Sequence, residues 1–250
     1  MNRLDHPLFK ERDFFEACKS VVGTCNNVSF EDRWEKETPD FTRAIFQQVT
    51  VEKPRILDYG CGVGRMAKEV LEQSPDATVV GVDASAVQLQ HAREYVNNTR
   101  FAAMFPHELE GQFDLVYCLY VLQHIPAIEI REALARMHYR LKADGLLIYC
   151  SSDARMAVRW DDTSFFDDRF LGVNLRAEVE KLFEPVGDLF TPDVFERNET
   201  LRRIILGFDG RTKPTPEGAY GTAHPAIVYR PRKLVRQYFD MTPRSSDGTL

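Results

Sequence analysis

Residues 56–67 read Ile56-Leu57-Asp58-Tyr59-Gly60-Cys61-Gly62-Val63-Gly64-Arg65-Met66-Ala67. Ile56 and Leu57 have the apolar character of a strand end, while Met66, Ala67, Val70 and Leu71 recur at helical spacing. Between the two patterns stand glycines 60, 62 and 64, which remove every Cβ where the backbone must turn sharply and a ligand can lie against it. One acid, Asp58, sits just ahead of the turn. A dinucleotide-binding turn carries glycine at its first, third and sixth positions, with a helix N-terminus facing a pyrophosphate. Counted from Gly60, the sixth position here is Arg65. The turn therefore suits a ligand with no pyrophosphate and a positively charged end. A glycine-rich strand-to-helix turn that binds nothing is the plainer alternative.

About twenty residues on, Thr78-Val79-Val80-Gly81-Val82-Asp83 is a second β-branched run ending in an acid, and Ser85 caps a helix carrying Val87, Leu89, Ala92, Tyr95 and Val96. A carboxylate at the end of the second strand can accept both hydroxyls of a ribose, because it offers two acceptor oxygens. Asp83 is the expected ribose ligand. Dehydrogenases use the same position, so Asp83 does not separate the two families. A third run, Phe113-Asp114-Leu115-Val116-Tyr117-Cys118-Leu119-Tyr120, is nearly continuous in apolar residues, as a central parallel strand covered on both faces requires. A helix with Ile130, Ala133, Leu134, Met137 and Leu141 follows. Next come a turn at Lys142-Ala143-Asp144-Gly145 and the strand Leu146 to Cys150.

The turn and its acid resemble the first motif of the class I S-adenosylmethionine-dependent methyltransferases. The run from Phe113, with its Leu122-Gln123-His124-Ile125 ending, resembles that family's fourth motif in the small-molecule branch. Together the landmarks cover about residues 54 to 152. The resemblance implies a doubly wound α/β fold, with a mostly parallel seven-stranded sheet and a C-terminal antiparallel hairpin. S-adenosylmethionine is the cofactor it implies, with the glycine turn under the methionine part and the acid on the ammonium group. Cofactor contacts are expected at Asp58, Gly60, Cys61, Gly62, Gly64, Asp83, Ala84, Met104, Cys118 and Tyr120. His124 is the histidine near the expected pocket, either a base for an oxygen nucleophile or a residue bonding backbone at the strand–loop junction.

The flanks are less regular. Residues 1–53 read as an N-terminal helical lid or cap, and residues 54–250 as the cofactor-binding domain with insertions near 153–174 and 209–225. Thr38-Pro39-Asp40 before Phe41, Ile45, Phe46 and Val49 signals a helix start, with Thr38 as the cap. Trp34 either walls the pocket or packs at the sheet edge. Trp160 and Phe165, in an acidic stretch just past the fifth strand, are the other candidates for substrate contact, since ligands bind beyond the carboxyl ends of strands. Asp161, Asp162, Asp167 and Asp168 in that stretch also read as a solvated acidic loop. The last helix is expected over Leu175 to Phe183. The final hairpin pairs Ala226 to Tyr229 with either Val186 to Phe190 or Arg203 to Phe208.

Composition narrows the function. The chain has 250 residues, 44% of them hydrophobic, and a net charge of −6, enough for one α/β domain with a full core. No apolar run approaches the ~20 residues needed to span a bilayer. The N-terminus lacks an apolar signal-peptide core, and five cysteines without CxxC spacing point to no disulfide framework or zinc site. A cytoplasmic setting is expected. Residues 1–196 carry a net −11 and residues 197–250 a net +5. The basic residues Arg202, Arg203, Arg211, Lys213, Arg230, Arg232, Lys233 and Arg236 read as a solvated edge and tail, and no nucleic-acid partner is expected. The oligomeric state stays open.

No Asn/Asp-Pro-Pro-Tyr run follows the fourth strand, no Pro-Cys dipeptide is present, and position 118 is a cysteine where catechol-type enzymes need metal-binding acids. The expectation is metal-free, in-line methyl transfer to an oxygen, nitrogen or carbon nucleophile of a small molecule. The alternatives are a non-catalytic S-adenosylmethionine-binding partner or sensor, and an RNA or protein methyltransferase using the basic C-terminal segment.

Overall fold

The computed structural model describes residues 10–22, 28–125, 127–151, 175–206 and 225–233. Strands β1 (Arg55–Tyr59), β2 (Thr78–Val82), β3 (Phe101–Met104), β4 (Phe113–Leu119) and β5 (Leu141–Cys150) are parallel, in the order β3-β2-β1-β4-β5. Beyond β5 the direction reverses. The outermost strand is β6 (Phe183–Asp188), and β7 (Ala226–Pro231) runs antiparallel between it and β5.

Strand alternation divides the core between the two faces of the sheet. Ile56 of β1 joins one apolar cluster with residues of α3 (Thr38–Gln47), α4 (Arg65–Gln73), α5 (Ala86–Val96), α8 (Pro192–Arg197) and α9 (Glu199–Ile205). Leu57 and Tyr59 face the other way, onto α6 (Ala127–Arg140) and α7 (Leu175–Leu182). Each fully buried Leu, Ile or Phe in these layers contributes roughly 1.5–3 kcal/mol. The carboxyl ends of β1, β2 and β4, which neither layer covers, point to one edge. Short N-terminal helices α1 (Phe14–Val22) and α2 (Phe30–Asp32) stand there, and Ala17 and Cys18 of α1 pack with Val63 of the glycine turn.

Three local expectations are corrected and one pair of alternatives is settled. Thr38 is not a helix cap: it has φ −58° and ψ −50°, inside a helical run that starts at Ser29, whose hydroxyl accepts from Asp32 N at 3.0 Å. Between α2 and α3 the run widens into a π-helical turn at Arg33–Glu37. A proline inside a helix removes one amide donor and crowds the carbonyl four residues back, so the Pro39 signal marks a change of helical pitch rather than a start. Residues 142–145 are not a turn outside the strand. Phe113 pairs with Leu141 and Leu115 with Leu146, so the extra residues bulge out within β5. Arg203 lies in α9, where Arg202 and Arg203 face Glu199 one helical turn back, so the hairpin uses β6 instead. Phe183 opens that strand rather than closing α7.

The basic C-terminal residues are dispersed. Arg230 faces Glu184, and Arg232 donates to the carbonyls of Glu180 and Phe183. Arg211, Lys213, Arg236, Trp160, Phe165 and the acids at 161–168 lie outside the described residues, as do nearly all of the two expected insertions. No helix among the described residues is long and apolar enough to cross a membrane.

Candidate active site

The β1 chain leaves the sheet through Gly60, Gly62 and Gly64, all at positive φ (82°, 52° and 82°). The amides of Gly60 and Cys61 donate to Val82 O at 2.8 and 2.9 Å, which ties the turn to the end of β2. Gly62 N donates to Asp83 Oδ2 at 3.0 Å, and Ser85 N to Asp83 Oδ1 at 2.9 Å. Asp83 thus holds both the glycine turn and the start of α5. A carboxylate oxygen can accept more than one hydrogen bond. A Cβ on Gly60 would lie 2.3 Å from Val121 Cγ2, and one on Gly64 2.7 Å from Val96 Cγ2. Gly60→Ala therefore combines a left-handed φ with a clash against the strand-end loop. Its expected result is at least a tenfold loss of cofactor affinity by calorimetry, the cost of about 1.4 kcal/mol or more of displaced turn.

A cavity of about 290 Å³ opens above the turn. Its wall includes Asp58, Gly60, Cys61, Gly62, Asp83, Ala84, Tyr120 and His124 from the sequence candidates. Gly64, Met104 and Cys118 are off this wall. Gly64 seats α4 against α5, half-buried Met104 ends β3, and Cys118 faces the α6 layer. Trp34 is also off the wall. Its ring meets Phe30 at 5.4 Å and Tyr95 at 5.9 Å, packed between the N-terminal helices and α5. His124 ends a short 3₁₀ turn, with Nε2 3.4 Å from Gln123 Nε2. Gln123 in turn accepts from Ser151 Oγ at 3.0 Å.

Asp58 is 4% exposed, and its Oδ2 has no hydrogen-bond partner. Burial pushes its pKa up to about 7; the nearby Asp83 adds to the rise, while the Tyr117 hydroxyl and Arg65 oppose it. A buried carboxyl with an unsatisfied oxygen is costly unless something satisfies it. Its position on a cavity wall calls for a cationic or hydrogen-bond-donating ligand.

A cluster that sequence reading missed covers the same cavity. Arg33, from the π turn, donates to Glu37 through Nε (2.7 Å to Oε2) and Nη2 (3.3 Å to Oε1). Tyr120 OH donates to Glu37 Oε1 at 3.1 Å. Arg65 Nη1 donates to Arg33 O at 3.1 Å and to Thr38 Oγ1 at 2.5 Å, and its Nη2 lies 3.7 Å from Glu37. Glu37 is fully buried. Burial pushes its carboxyl up, but the two guanidinium groups outweigh that and leave it below its ordinary value. Tyr120 sits at φ +62°, held by its own amide to Cys150 O at 2.7 Å and by the Glu37 bond. Such strain persists only where surroundings over-determine it, and it concentrates at functional sites. The available signal was the opposite charges four residues apart at 33 and 37, which are ordinarily a solvated helix pair.

Comparison with known proteins matches this geometry. Residues 56–145 match the family model described as a methyltransferase domain. Trans-aconitate 2-methyltransferase of Deinococcus radiodurans is 36% identical over 104 residues, covering 40% of each chain. The ubiquinone/menaquinone biosynthesis C-methyltransferase UbiE of Geotalea uraniireducens is 32% identical over 112 residues, covering 41% of this chain and 47% of that one. The segment that carries the glycine turn and both strand-end acids is thus similar to a methyltransferase domain. The chain spans less than half the length of these curated relatives in the matched region. The fold extends further: the PH0226 protein of Pyrococcus horikoshii superposes with a TM-score of 0.57 at 17% identity, over 88% of this chain and 98% of that one. S-adenosylmethionine is the cofactor of this methyltransferase family. The orphaned Asp58 oxygen beside a glycine cradle fits its ammonium group, and Asp83 fits its ribose.

Proposed function

We propose that the domain transfers a methyl group from S-adenosylmethionine to an oxygen, nitrogen or carbon nucleophile of a small-molecule acceptor, in a metal-free, in-line displacement. The observation that carries this reading is Asp58: a buried carboxyl, on the cavity wall, with one oxygen unsatisfied. When bound, the cofactor supplies the electrophilic methyl on its sulfonium, so the protein is left to align and desolvate. Asp58 holds the ammonium group. Asp83 accepts from the ribose hydroxyls. Gly60, Cys61 and Gly62 let the chain approach closely, and Ala84 and Tyr120 wall the ligand. Gly64, Met104 and Cys118 support that wall from behind. Within the described N-terminal residues, the π turn at Arg33–Glu37 covers the site as part of a lid, pinned through Glu37. In this reading His124, on the cavity wall, takes a proton if the acceptor is an oxygen nucleophile, and otherwise serves as a structural residue of the strand–loop junction.

A small acceptor is supported by the cavity of about 290 Å³ above the turn. It is also supported by the relatives, one named for trans-aconitate and one for ubiquinone/menaquinone biosynthesis. Calorimetric titration with S-adenosylmethionine, S-adenosylhomocysteine and NADH is the test. Micromolar binding of both sulfur ligands and none of NADH is expected, and methyl-labelled cofactor should then label small carboxylic acids or quinols in a panel. Binding of NADH alone would overturn the reading.

A further inference from the structure

β1 and β4 are parallel neighbours in which Asp58 pairs with Tyr117. Register partners in adjacent strands point to the same face, here the α3–α4 side, where Tyr117 belongs to the apolar cluster. Tyr117 is fully buried, and its hydroxyl lacks a hydrogen bond of good geometry yet lies near enough to Asp58 to lower that carboxyl's pKa. Asp58 Oδ2 and Tyr117 OH therefore belong to register partners on one face of the sheet, Asp58 on the cavity wall and Tyr117 in the core beside it. Phenylalanine would fill the same core volume without burying an unsatisfied hydroxyl, so packing alone does not account for the tyrosine. A neutral carboxyl beside a hydroxyl forms a weak pair. An ionised carboxylate accepts from it strongly.

We propose that Tyr117 is a positioning residue for the cofactor's ammonium ligand: its hydroxyl donates to Asp58 once that carboxyl ionises, so that cofactor binding expels one proton from Asp58. This rests on the methyltransferase reading of the site. The balance is simple. Asp58 gives up its carboxyl proton to solvent, one oxygen then faces the ammonium group, and the other accepts from Tyr117. Tyr117 on β4, Asp83 beyond β2 and Arg65 on α4 act on Asp58, and Asp58 acts in turn on the Cys61 thiol in the turn and, from the other face of the sheet, on that of Cys118. Both thiols are pushed up by burial and stay neutral. Burial raises the carboxyl most, the Tyr117 hydroxyl is the largest influence against it, and Asp83 and Arg65 act in opposite directions.

The test uses the full chain and S-adenosylhomocysteine, which carries the ammonium group but no sulfonium charge. Titration in buffers of different ionisation enthalpy should show close to one proton released at pH 6 and close to none at pH 8.5. Affinity should be about tenfold weaker at pH 6, following proton linkage across a midpoint near 7. Y117F should move that midpoint up by about half a pH unit or more, weakening binding at pH 6 while leaving pH 8.5 nearly unchanged. A tyrosine that only fills the core would weaken binding equally at both. If Y117F does not fold, Y117M lacks the hydroxyl and must shift the profile the same way. Absence of binding at pH 8.5 would overturn the cofactor reading itself. Binding at pH 8.5 without proton release at pH 6, or a superimposable Y117F profile, would overturn the role of Tyr117 alone.

Discussion

Replacing Glu37 by alanine is expected to lower stability by about 3–5 kcal/mol, the cost of removing one partner from a buried ion cluster. Glu37 has no solvent access and accepts from Arg33 twice and from Tyr120 once, with Arg65 3.7 Å away. Without it, Arg33 and Arg65 face each other in a site from which water is excluded. Burial already pulls Arg65 down, and its neighbour Arg33 adds to that pull. The π turn then loses its internal pair, and Tyr120 loses the bond that holds its ring across the cavity. Urea unfolding of the full chain at pH 7 measures the loss. Glu37→Gln keeps the shape and some hydrogen bonds but not the charge, so a smaller loss is expected. The pH dependence gives a second check. The folded carboxyl lies below its ordinary value of 4.5, so its contribution is present above that value and fades as pH falls through the folded one. Equal unfolding midpoints for wild type and E37A would sink the cluster's structural role.

Asp58→Asn should move stability and binding in opposite directions. The carboxyl titrates near 7 in the fold against an ordinary value of 3.8. The folded state therefore binds a proton more tightly than the unfolded chain does, and stability falls as pH rises from about 3.8 to about 7. By the linkage constant, the ionised group costs the empty protein up to about 4 kcal/mol at pH 8. Asparagine removes that cost with nearly the same shape, so the unliganded variant should unfold at higher urea concentration at pH 8 and show little difference at pH 4. Binding of S-adenosylmethionine should weaken by about 100-fold, since a charge-assisted contact worth roughly 1.5–3 kcal/mol is lost and an ammonium group is left beside an amide. A stabilised variant that cannot load its cofactor is the expected signature of a site strained for function. An Asp58→Asn protein with unchanged affinity would remove Asp58 from the site.

Local pattern carried far in this chain because the elements that build the floor of the site are themselves local. Alternation and β-branched runs located β1, β2 and β4, and the glycine spacing at 60, 62 and 64 excluded a pyrophosphate turn. Both acids, Asp58 and Asp83, were legible as strand-end residues, since a parallel sheet presents its carboxyl ends on one edge whatever the side chains beyond it do. The hairpin was readable only as two alternatives, because its strands are far apart in sequence and carry few alternating positions. Arg203 could be excluded only when its helix was seen.

The roof was a different case. Glu37 meets Tyr120 across 83 residues, and Arg65 meets Arg33 and Thr38 across 32 and 27. Nothing in a window of ten or twenty residues marks those as partners, and at 33 and 37 the pattern is that of an ordinary solvated ion pair. The π turn rotates that pair inward, and the end of β4 brings Tyr120 beneath it at φ +62°. The facing of Tyr117 and Asp58 depends likewise on register. A shift of one residue between β1 and β4 would turn the hydroxyl to the opposite face of the sheet. Hydrophobic period is written in neighbouring residues, so sequence specifies which elements form and which edge binds. A buried charge pairs with whatever the packing of distant elements delivers to it, so the partners in this site exist only once helix pitch and strand register are set.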